Sequence, residues 1–217
     1  MGRAKEIIVK VLKSKVANTF VKKQHYSGKV VPNSILHFGC FLDKRLHGVM
    51  SFGPSINKKG TINLVEGTGW NEFIELNRMA FDEFLPKYSE SRCISIAMKL
   101  IKKNAPHIKW VISFADGTQC GDGTIYRASG FKLVGIAENT ALRINPQTKK
   151  PMHVIQAHHL KMSKEFKKWK AYEGYQLKYI YFIDKKIEGN LTKPIIPFSE
   201  IDKIGAGMYK GEKITLK

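Results

Sequence analysis

Hydrophobic and polar positions recur along the chain in short segments that predict a mixture of strands and helices. Apolar runs bounded by polar turns predict strands at Glu6–Val11, Ser34–Leu42, Leu46–Phe52, Phe73–Ala80, Trp110–Ala115, Phe131–Ala137, Thr140–Ile144, His153–Ala157 and Tyr175–Ile183. Apolar residues at helical spacing predict helices at Ser14–Gln24, Ser89–Lys103, Gly123–Ser129 and Ser163–Lys170, with Ser14 as a helix cap. The stretches Pro54–Gly69 and Glu188–Lys217 follow neither pattern, so we expect a long loop and a peripheral tail there.

The order of these elements predicts an α+β fold, that is, a mixed α/β architecture. Polar turns at Asp43–Arg45 and Asn145–Gln147 join neighbouring strands as two antiparallel hairpins. Between the hairpins, strands alternate with helices, as in strand–helix–strand units. We therefore expect one central sheet of mixed direction with helices packed on it.

The chain is strongly basic: 37 Lys and Arg against 18 Asp and Glu give a formal net charge of +19. A hydrophobic fraction of 43% is too high for a disordered basic tail and is sufficient for a core. Both halves carry the charge, because residues 149–217 hold 15 lysines against 7 acidic residues. Such a field attracts a polyanion, so nucleic acid is the expected partner.

Other classes of protein are excluded by composition. No run of roughly 18 apolar residues occurs, so no membrane-spanning helix is expected, and the N-terminus lacks the pattern of a cleaved signal peptide. Cys40, Cys93 and Cys120 are odd in number and widely spaced, which fits reduced thiols in an intracellular protein. The oligomeric state stays open, with a homodimer as one arrangement.

A first resemblance rests on the run from Tyr126 to Phe131, in which a tyrosine and three further residues precede a Gly-Phe pair. On the helix after the fifth strand, this run resembles the GNAT acyltransferases, whose tyrosine there often protonates the departing thiolate. The resemblance implies a GNAT-like central sheet flanked by helices. We expect residues 1–160 to form the catalytic domain and residues 161–217 a basic extension packed on the same domain.

One segment departs from the GNAT pattern. GNAT enzymes usually carry a glycine-rich loop at the start of the third helix, where backbone N–H groups hold the pyrophosphate of acyl-CoA. Here the corresponding segment, Tyr88–Ser95, contains no glycine, and Glu90 would repel a phosphate. Acetyl-CoA is therefore a doubtful donor.

A narrower resemblance rests on six short motifs in a fixed order. They are His25–Ser27, Gly48–Gly53, Glu75–Met79, Ser89–Arg92, Ser113–Asp116 and Gly121–Tyr126. Together they closely resemble the Mom family of bacteriophage DNA-modification proteins, which share the GNAT fold. The resemblance spans His25 to Gly135, which is 111 of the 217 residues.

The resemblance implies an unusual group transfer. Mom-like proteins add a methylcarbamoyl-type (acetamido) group to the exocyclic amino group of adenine in duplex DNA, which protects phage DNA from restriction nucleases in the host bacterial cytoplasm. It also implies iron, and it leaves the group donor open. By motif matching, the implied catalytic residues are Arg78, Asp116, Tyr126 and Ser91, the implied cofactor-binding residues are Ser89 and Arg92, and the implied metal ligands are His25, Tyr26, Asp116 and Tyr126.

The chemistry of these residues is compatible with that implication. Imidazole, phenolate and carboxylate form a nitrogen and oxygen ligand set without sulfur, which suits iron or another borderline-to-hard cation. Asp116 follows a predicted strand at the carboxyl edge of the sheet, where open α/β sheets place ligands. The guanidinium of Arg78 could orient a carboxylate, a phosphate or a base edge.

Each of these residues also has a purely structural interpretation. His25 and Tyr26 could end a helix, with a protonated histidine favoured by the helix dipole, and Asp116 could belong to an ordinary turn. Tyr126 could simply pack on the sheet, and Arg78 could pair with Glu75 or Glu66. Three further sets of residues have weaker functional interpretations. Ser91 and Arg92 could hold an anion but more simply cap a helix. A metal role for His153, His158 and His159 lacks an acidic or cysteine partner, and a nucleophile role for Cys120 lacks an adjacent base.

Contacts to DNA are expected from lysine-rich surfaces, at Lys22, Lys23, Lys58, Lys59, Lys167 and Lys168. A base must leave the duplex to expose its amino group, so an aromatic platform is needed, with Tyr26, Phe52, Trp70 and Phe114 as candidates. Two other functions stay open. One is a conventional acyl-CoA-dependent N-acyltransferase acting on a protein or a small amine, and the other is a DNA-binding protein with a decayed acyltransferase fold.

Overall fold

A computed structural model describes residues 2–117, 121–209 and 212–213, without the side chains of Lys58 and Ile155 or of the residues after Gly207. Its strands are β1 (Ile8–Val11), β2 (Leu36–Leu42), β3 (Arg45–Gly53), β4 (Phe73–Phe81), β5 (Trp110–Asp116), β6 (Lys132–Glu138), β7 (Leu142–Ile144), β8 (Pro151–His153), β9 (Tyr175–Phe182), β10 (Met208–Tyr209) and β11 (Glu212–Lys213). Its α-helices are α1 (Ser14–Gln24), α2 (Lys58–Ile62), α3 (Ser89–Asn104), α4 (Thr124–Ala128), α5 (Val154–His159), α6 (Ser163–Lys168) and α7 (Ser199–Lys203).

A seven-stranded sheet organises the fold, with the strand order β1-β2-β3-β4-β5-β9-β6. The strands β1 to β4 pair antiparallel with their neighbours, whereas β5 runs parallel to β4 with Phe73 opposite Trp110. This mixture of directions confirms the predicted α+β class with a mixed central sheet. Two small sheets, β7–β8 and β10–β11, are separate from it.

The first hairpin shows how a short polar segment sets a strand pairing. Asp43 and Lys44 both have positive φ angles, 49° and 63°, and they form a two-residue turn between β2 and β3. Such turns match the right-handed twist of antiparallel strands. The predicted three-residue turn was therefore one residue too long, since Arg45 already pairs with Leu42.

Helix α1 has the bounds that its apolar spacing predicts. Ala17 and Val21 are buried against Val49 of β3 and Ala80 of β4, which places α1 on one face of the sheet. The predicted cap is wrong: Lys13 occupies the N-cap position, and it makes no side-chain hydrogen bond there.

A second core cluster lies around the middle of the sheet. Phe73 and Trp110 stack with their ring centroids 4.1 Å apart, and Ile112, Ile180 and Phe182 are buried with them. The parallel register of β4 and β5 brings the two rings together, because Phe73 and Trp110 are directly paired. These large apolar side chains fix the strands from which the candidate site residues project.

The chain divides into two compact units that are discontinuous in sequence. The first comprises the described residues of Met1–Phe114, Thr124–Gly135 and Lys178–Pro197, and the second those of Ala115–Gly123, Ile136–Leu177 and Phe198–Lys217. The expected division into a catalytic domain at residues 1–160 and a basic extension at residues 161–217 stays a prediction. Strand β9, which follows residue 161, is a strand of the main sheet next to β5 and β6.

Three regions depart from the predicted elements. The second hairpin is formed only by β7 and β8, and the residues predicted to extend its second strand instead begin α5 at Val154. The predicted long loop contains α2, which begins after Asn57 accepts a hydrogen bond from Gly60 N. The predicted tail contains α7.

None of the helices in the described part of the chain is long and apolar enough to cross a membrane.

Candidate functional site

Arg78 on β4 is held by backbone carbonyl oxygens and not by a carboxylate. Its Nε donates to Lys29 O at 3.0 Å, and its Nη1 donates to Asn77 O at 2.7 Å. The alternative of an ion pair with Glu75 or Glu66 is wrong, because neither carboxylate forms a salt bridge with the guanidinium in the described structure. The two carbonyl contacts use two of the five N–H groups of the guanidinium, so the side chain is fixed while other donors remain for a ligand.

Arg78 belongs to a row of polar residues that crosses three strands. Ser51 on β3 pairs in register with Arg78, and His37 on β2 pairs in register with Ser51. The His37 Nδ1 atom lies 2.8 Å from Ser51 Oγ, and both residues are almost fully buried. Cross-strand partners project from the same face of a sheet, so this row lies beside the Val49–Ala80 row that contacts α1.

Sequence patterns did not identify the His37–Ser51 pair. The available signal was a histidine inside the apolar run of β2, since a polar residue at a buried strand position needs a partner. Burial lowers the pKa of His37, with a hydrogen bond to the backbone of Ser34 acting in the opposite direction. The pair thus supplies a neutral polar neighbour to Arg78 inside the sheet.

His25 follows the last turn of α1 and lies within electrostatic range of Arg78. Its Nδ1 accepts the backbone N–H of Ser27 at 3.1 Å and lies 2.8 Å from Ser27 Oγ. Burial of the ring is the main cause that lowers the pKa of His25 from 6.5 to about 4, and the positive charge of Arg78 adds to it. A neutral ring whose Nδ1 accepts carries its proton on Nε2 and acts there as a donor. His25 is the C-cap residue of α1, so the interpretation that it ends the helix is confirmed, whereas its low pKa disfavours the charged form that the helix dipole would stabilise.

The low pKa of His25 predicts a defined pH dependence of stability. The unfolded chain binds a proton at His25 below pH 6.5 and the folded chain only below about pH 4, so the free energy of unfolding falls as the pH drops through this window. When the pH falls from 7 to 5, we expect the free energy of unfolding of His25→Gln to decrease by about 1–2 kcal/mol less than that of the wild type. This figure includes a discount for the partial exposure of the ring. Urea unfolding measures the difference.

A matched control for this experiment is His107→Gln, since His107 is exposed. The control should follow the wild-type profile. Burial raises the pKa of Glu75, so this residue makes the free energy of unfolding fall as the pH rises, which is opposite to the effect of His25. Its contribution is the same in all three proteins. Superimposable profiles for the wild type and His25→Gln would contradict the burial of a neutral imidazole.

Tyr126 on α4 lies in the environment of a core tyrosine. Its ring stacks on Tyr179 with centroids 5.0 Å apart and contacts the edge of Phe131, and the residue is only 9% exposed. Its Oη lies 2.9 Å from Ser113 Oγ, which also donates to Leu76 O at 2.9 Å. The packing alternative is therefore confirmed as a role of this side chain. The hydroxyl is tied through Ser113 to β4, the strand that carries Arg78.

Asp116 is the last residue of β5, where the sequence placed it, and it is half-buried. It belongs to the second compact unit, whereas His25, Tyr26, Arg78 and Tyr126 belong to the first. The backbone after Asp116 is tightly packed: Gly117 N donates to Tyr175 O at 2.8 Å, and a Cβ on Gly117 would overlap the carbonyl oxygen of Ala206. Cys120 lies outside the described residues.

The start of α3 uses its polar side chains for internal contacts. Ser89 is fully buried and its hydroxyl donates to Pro86 O, while Ser91 Oγ donates to Tyr88 O. Arg92 Nη2 donates to Lys5 O at 3.2 Å. The helix has no side-chain cap, so the capping interpretation of Ser91 and Arg92 is wrong. The predicted catalytic role of Ser91 and the predicted cofactor role of Ser89 and Arg92 stay predictions.

Exposure separates the candidate aromatic platforms. Phe52 is fully buried, so its ring cannot stack on a base. Trp70 and Phe114 are half-buried. Tyr26 is 55% exposed and its ring lies 4.3 Å from that of His25. Among the four, Tyr26 has the largest exposed fraction.

The lysines predicted to contact DNA are exposed wherever their side chains are described: Lys22 and Lys23 at the end of α1, Lys59 on α2, and Lys167 and Lys168 on α6. Lys58 lies on α2, and its side chain is outside the described part.

Cys40 and Cys93 are buried free thiols, as predicted. The alternative of a metal site at the late histidines gains no support, since the described residues contain no cluster of three or more His, Cys, Asp or Glu suited to a metal ion.

The arrangement of His25 tests the fit of the expected iron ligands. A metal needs a lone pair on an imidazole nitrogen, but Nδ1 accepts from Ser27 and Nε2 carries the proton. The neighbouring positive charge of Arg78 also opposes a cation. As arranged here, Nδ1 is occupied, so His25 could bind a metal only through Nε2, in the other tautomer, with Nδ1–H donating to Ser27 Oγ.

The sheet and its helices define the fold of the GNAT acyltransferases. The crystal structure of an N-acetyltransferase from Staphylococcus aureus Mu50 superimposes with a TM-score of 0.51, covering 82% of this chain and 99% of that one at 9% sequence identity. At this identity the likeness shows the fold alone.

Within that fold class, sequence similarity identifies one family. The Mom protein family matches over residues 6–200, and the chain belongs to this family. The chain is 39% identical over 138 residues to the methylcarbamoylase Mom of Escherichia phage Mu. That alignment covers 63% of this chain and 57% of the phage Mu protein.

Proposed function

We propose that this protein is a DNA-modifying transferase that adds a methylcarbamoyl group to the exocyclic amino group of adenine in duplex DNA. The likeness to the phage Mu methylcarbamoylase carries the proposal. The net charge of +19 supports a polyanionic substrate. By the same likeness, we place the reaction in the cytoplasm of a phage-infected host bacterium, where the modification protects phage DNA from restriction.

Arg78 is the residue of the first unit best suited to hold a reacting group. Its guanidinium is fixed by two carbonyl oxygens, so the donors that remain point in a defined direction without loss of side-chain entropy on binding. We propose that these donors orient either an anionic group of the donor molecule or the edge of the flipped adenine. The neutral His25 beside it adds one more N–H donor and no competing positive charge.

Tyr26 is proposed to stack on the extruded base. A flipped base needs an apolar surface to replace the stacking that it loses, and the exposed ring of Tyr26, which lies against His25, supplies one. Tyr126 is proposed to act through its position on the sheet, because its hydroxyl is bound to Ser113. Asp116, in the second unit, stays a predicted catalytic residue, and Asp116→Asn tests it by the loss of modified DNA.

The conventional acyl-CoA alternative has weaker support. Acyl-CoA pyrophosphate needs close access to backbone N–H groups, and the start of α3 has no glycine to permit it. Two hydroxyls there already donate to carbonyl oxygens, and Glu90 adds a negative charge to the first turn. Strong calorimetric binding of acetyl-CoA would revive this alternative.

Iron stays a prediction, and bound iron would supply a Lewis acid for the transfer. Metal analysis of the purified protein tests it directly. Stoichiometric iron that is lost in His25→Gln would support the ligand set despite the present arrangement of His25. Full modification activity in metal-free protein would remove iron from the proposal. A homodimer likewise stays a prediction, for which the sedimentation of the purified chain is the test.

The experiment for the proposed function is expression of the chain in a host bacterium, followed by digestion of the host DNA to nucleosides and mass spectrometry. We expect a new deoxyadenosine species that is absent from cells with an empty vector. Unmodified DNA from cells that contain well-folded protein would contradict the proposal.

A further inference from the structure

A strongly basic helical hairpin occupies part of the second compact unit. Helices α5 and α6 are joined by a short turn at Leu160–Met162, and the histidine, lysine and glutamate side chains of the hairpin are exposed. We call the following residues the α5–α6 basic surface: His158, His159, Lys161, Lys164, Lys167 and Lys168. The catalytic residues proposed above do not include any of them.

The opposite side of this hairpin is anchored, so the basic side chains project from a fixed support. Phe166 is buried, and the guanidinium of Arg143 lies over its ring at 5.8 Å. Arg143 Nη1 also donates to Trp169 O at 2.7 Å, which closes the end of α6. Met162 N donates to Ala157 O at 2.8 Å and fixes the turn. With Phe166 pointing inward, the helical spacing leaves Lys164, Lys167 and Lys168 outside.

The hairpin also forms a concave site of about 680 Å³. Its lining consists of His158, His159, Lys161, Ser163, Lys164 and Glu165. All of these except Glu165 can donate hydrogen bonds to an anion. A concavity with donors on several sides can donate to more than one oxygen of a phosphate group.

The charges of this surface are not neutralised within the unit. Residues 158–170 contain five lysines against the single acidic residue Glu165. None of these five lysines takes part in a salt bridge in the described part of the chain. Exposed and unpaired lysines that are held close together repel one another, and a polyanion relieves that repulsion while it releases counterions.

We infer that the α5–α6 basic surface binds the backbone phosphates of duplex DNA and so docks the substrate. The inference rests on the proposed function for the identity of the nucleic acid. It adds a separate binding element, which contacts phosphates and not bases. Binding there is independent of sequence, because a phosphate contact carries no information about the base.

The test uses the full chain and a fluorescently labelled DNA duplex, with anisotropy recorded over a range of salt concentrations. The variant carries Lys161→Gln, Lys164→Gln, Lys167→Gln and Lys168→Gln together. We expect its Kd at about 0.1 M salt to rise on the order of 10–100-fold, and the slope of log affinity against log salt to shrink by about 3–4. Thermal melting by circular dichroism checks that the variant folds.

The matched control removes the same charge elsewhere, with Lys87→Gln, Lys99→Gln, Lys102→Gln and Lys103→Gln, all at exposed positions in or before α3. It should lose far less affinity. Equal losses in both variants, or an unchanged Kd in the α5–α6 variant, would overturn the inference. Tighter binding of an RNA duplex through the same lysines would overturn the assignment to DNA.

Nucleoside analysis of host DNA separates this inference from the proposed function. If the wild type modifies DNA while the α5–α6 variant keeps its affinity, the docking surface is wrong and the function stands. If the wild type binds DNA through this surface without modifying it, the docking surface stands and the function is wrong.

Discussion

Replacing Arg78 by lysine is expected to reduce DNA modification by a factor on the order of 10²–10³, although the positive charge is kept. The guanidinium reaches Lys29 O through Nε and Asn77 O through Nη1, and it still has N–H donors to spare. An ammonium group also has three N–H donors, but all of them lie on one nitrogen, so it cannot occupy the positions of both Nε and Nη1 and still present a planar pair of donors to a ligand. The measurement is the yield of modified deoxyadenosine per folded protein in the host.

A conservative control for this prediction is Arg45→Lys, because Arg45 is exposed at the start of β3. It should keep wild-type yield. If Arg78→Lys gives the same yield of modified deoxyadenosine as the wild type, only the positive charge matters at this position. In that case the proposal that Arg78 acts through several N–H donors held in a fixed direction would be wrong.

Replacing Gly117 by alanine is expected to destabilise the protein by about 2–4 kcal/mol and to abolish modification. A Cβ at Gly117 would overlap Ala206 O and lie 3.0 Å from Tyr175 O, and both are backbone atoms that cannot rotate away. The strand end must shift to relieve this overlap, and Asp116 is the adjacent residue on it. Urea unfolding measures the loss of stability.

The control is Gly189→Ala, since a Cβ at Gly189 has no heavy atom within 4 Å. That substitution should change the free energy of unfolding by less than about 0.5 kcal/mol. If Gly117→Ala is as stable as the control, the close packing of Gly117 against Ala206 is not a feature of the folded protein.

Local pattern was sufficient to predict most elements of the main sheet. Helix α1 and strand β4 were found within one residue, because their apolar spacing is strong and their ends carry polar residues. The late hairpin was only partly predicted. His153 ends β8 and Val154 begins α5, and a short apolar run such as this one fits a strand or a helix equally well.

Arg78 was predicted because a charged residue in an apolar strand demands an explanation, and the structure supplies its carbonyl partners. The His37–Ser51 pair was missed because its partners are 14 residues apart and meet only through the register of β2 and β3. The protonation of His25 could not be inferred either. It depends on the burial of the ring and on the charge of Arg78, which is far away in sequence, and neither is a local property of the sequence.

The most direct test of DNA modification is tandem mass spectrometry of the nucleosides from DNA exposed to this protein. We predict a deoxyadenosine whose base fragment carries a methylcarbamoyl substituent on the exocyclic nitrogen, present with the wild type and strongly reduced with Arg78→Lys. An acetylated base would point to an acyl-CoA donor. A modified pyrimidine, or unmodified adenine in the presence of folded protein, would contradict the proposed reaction.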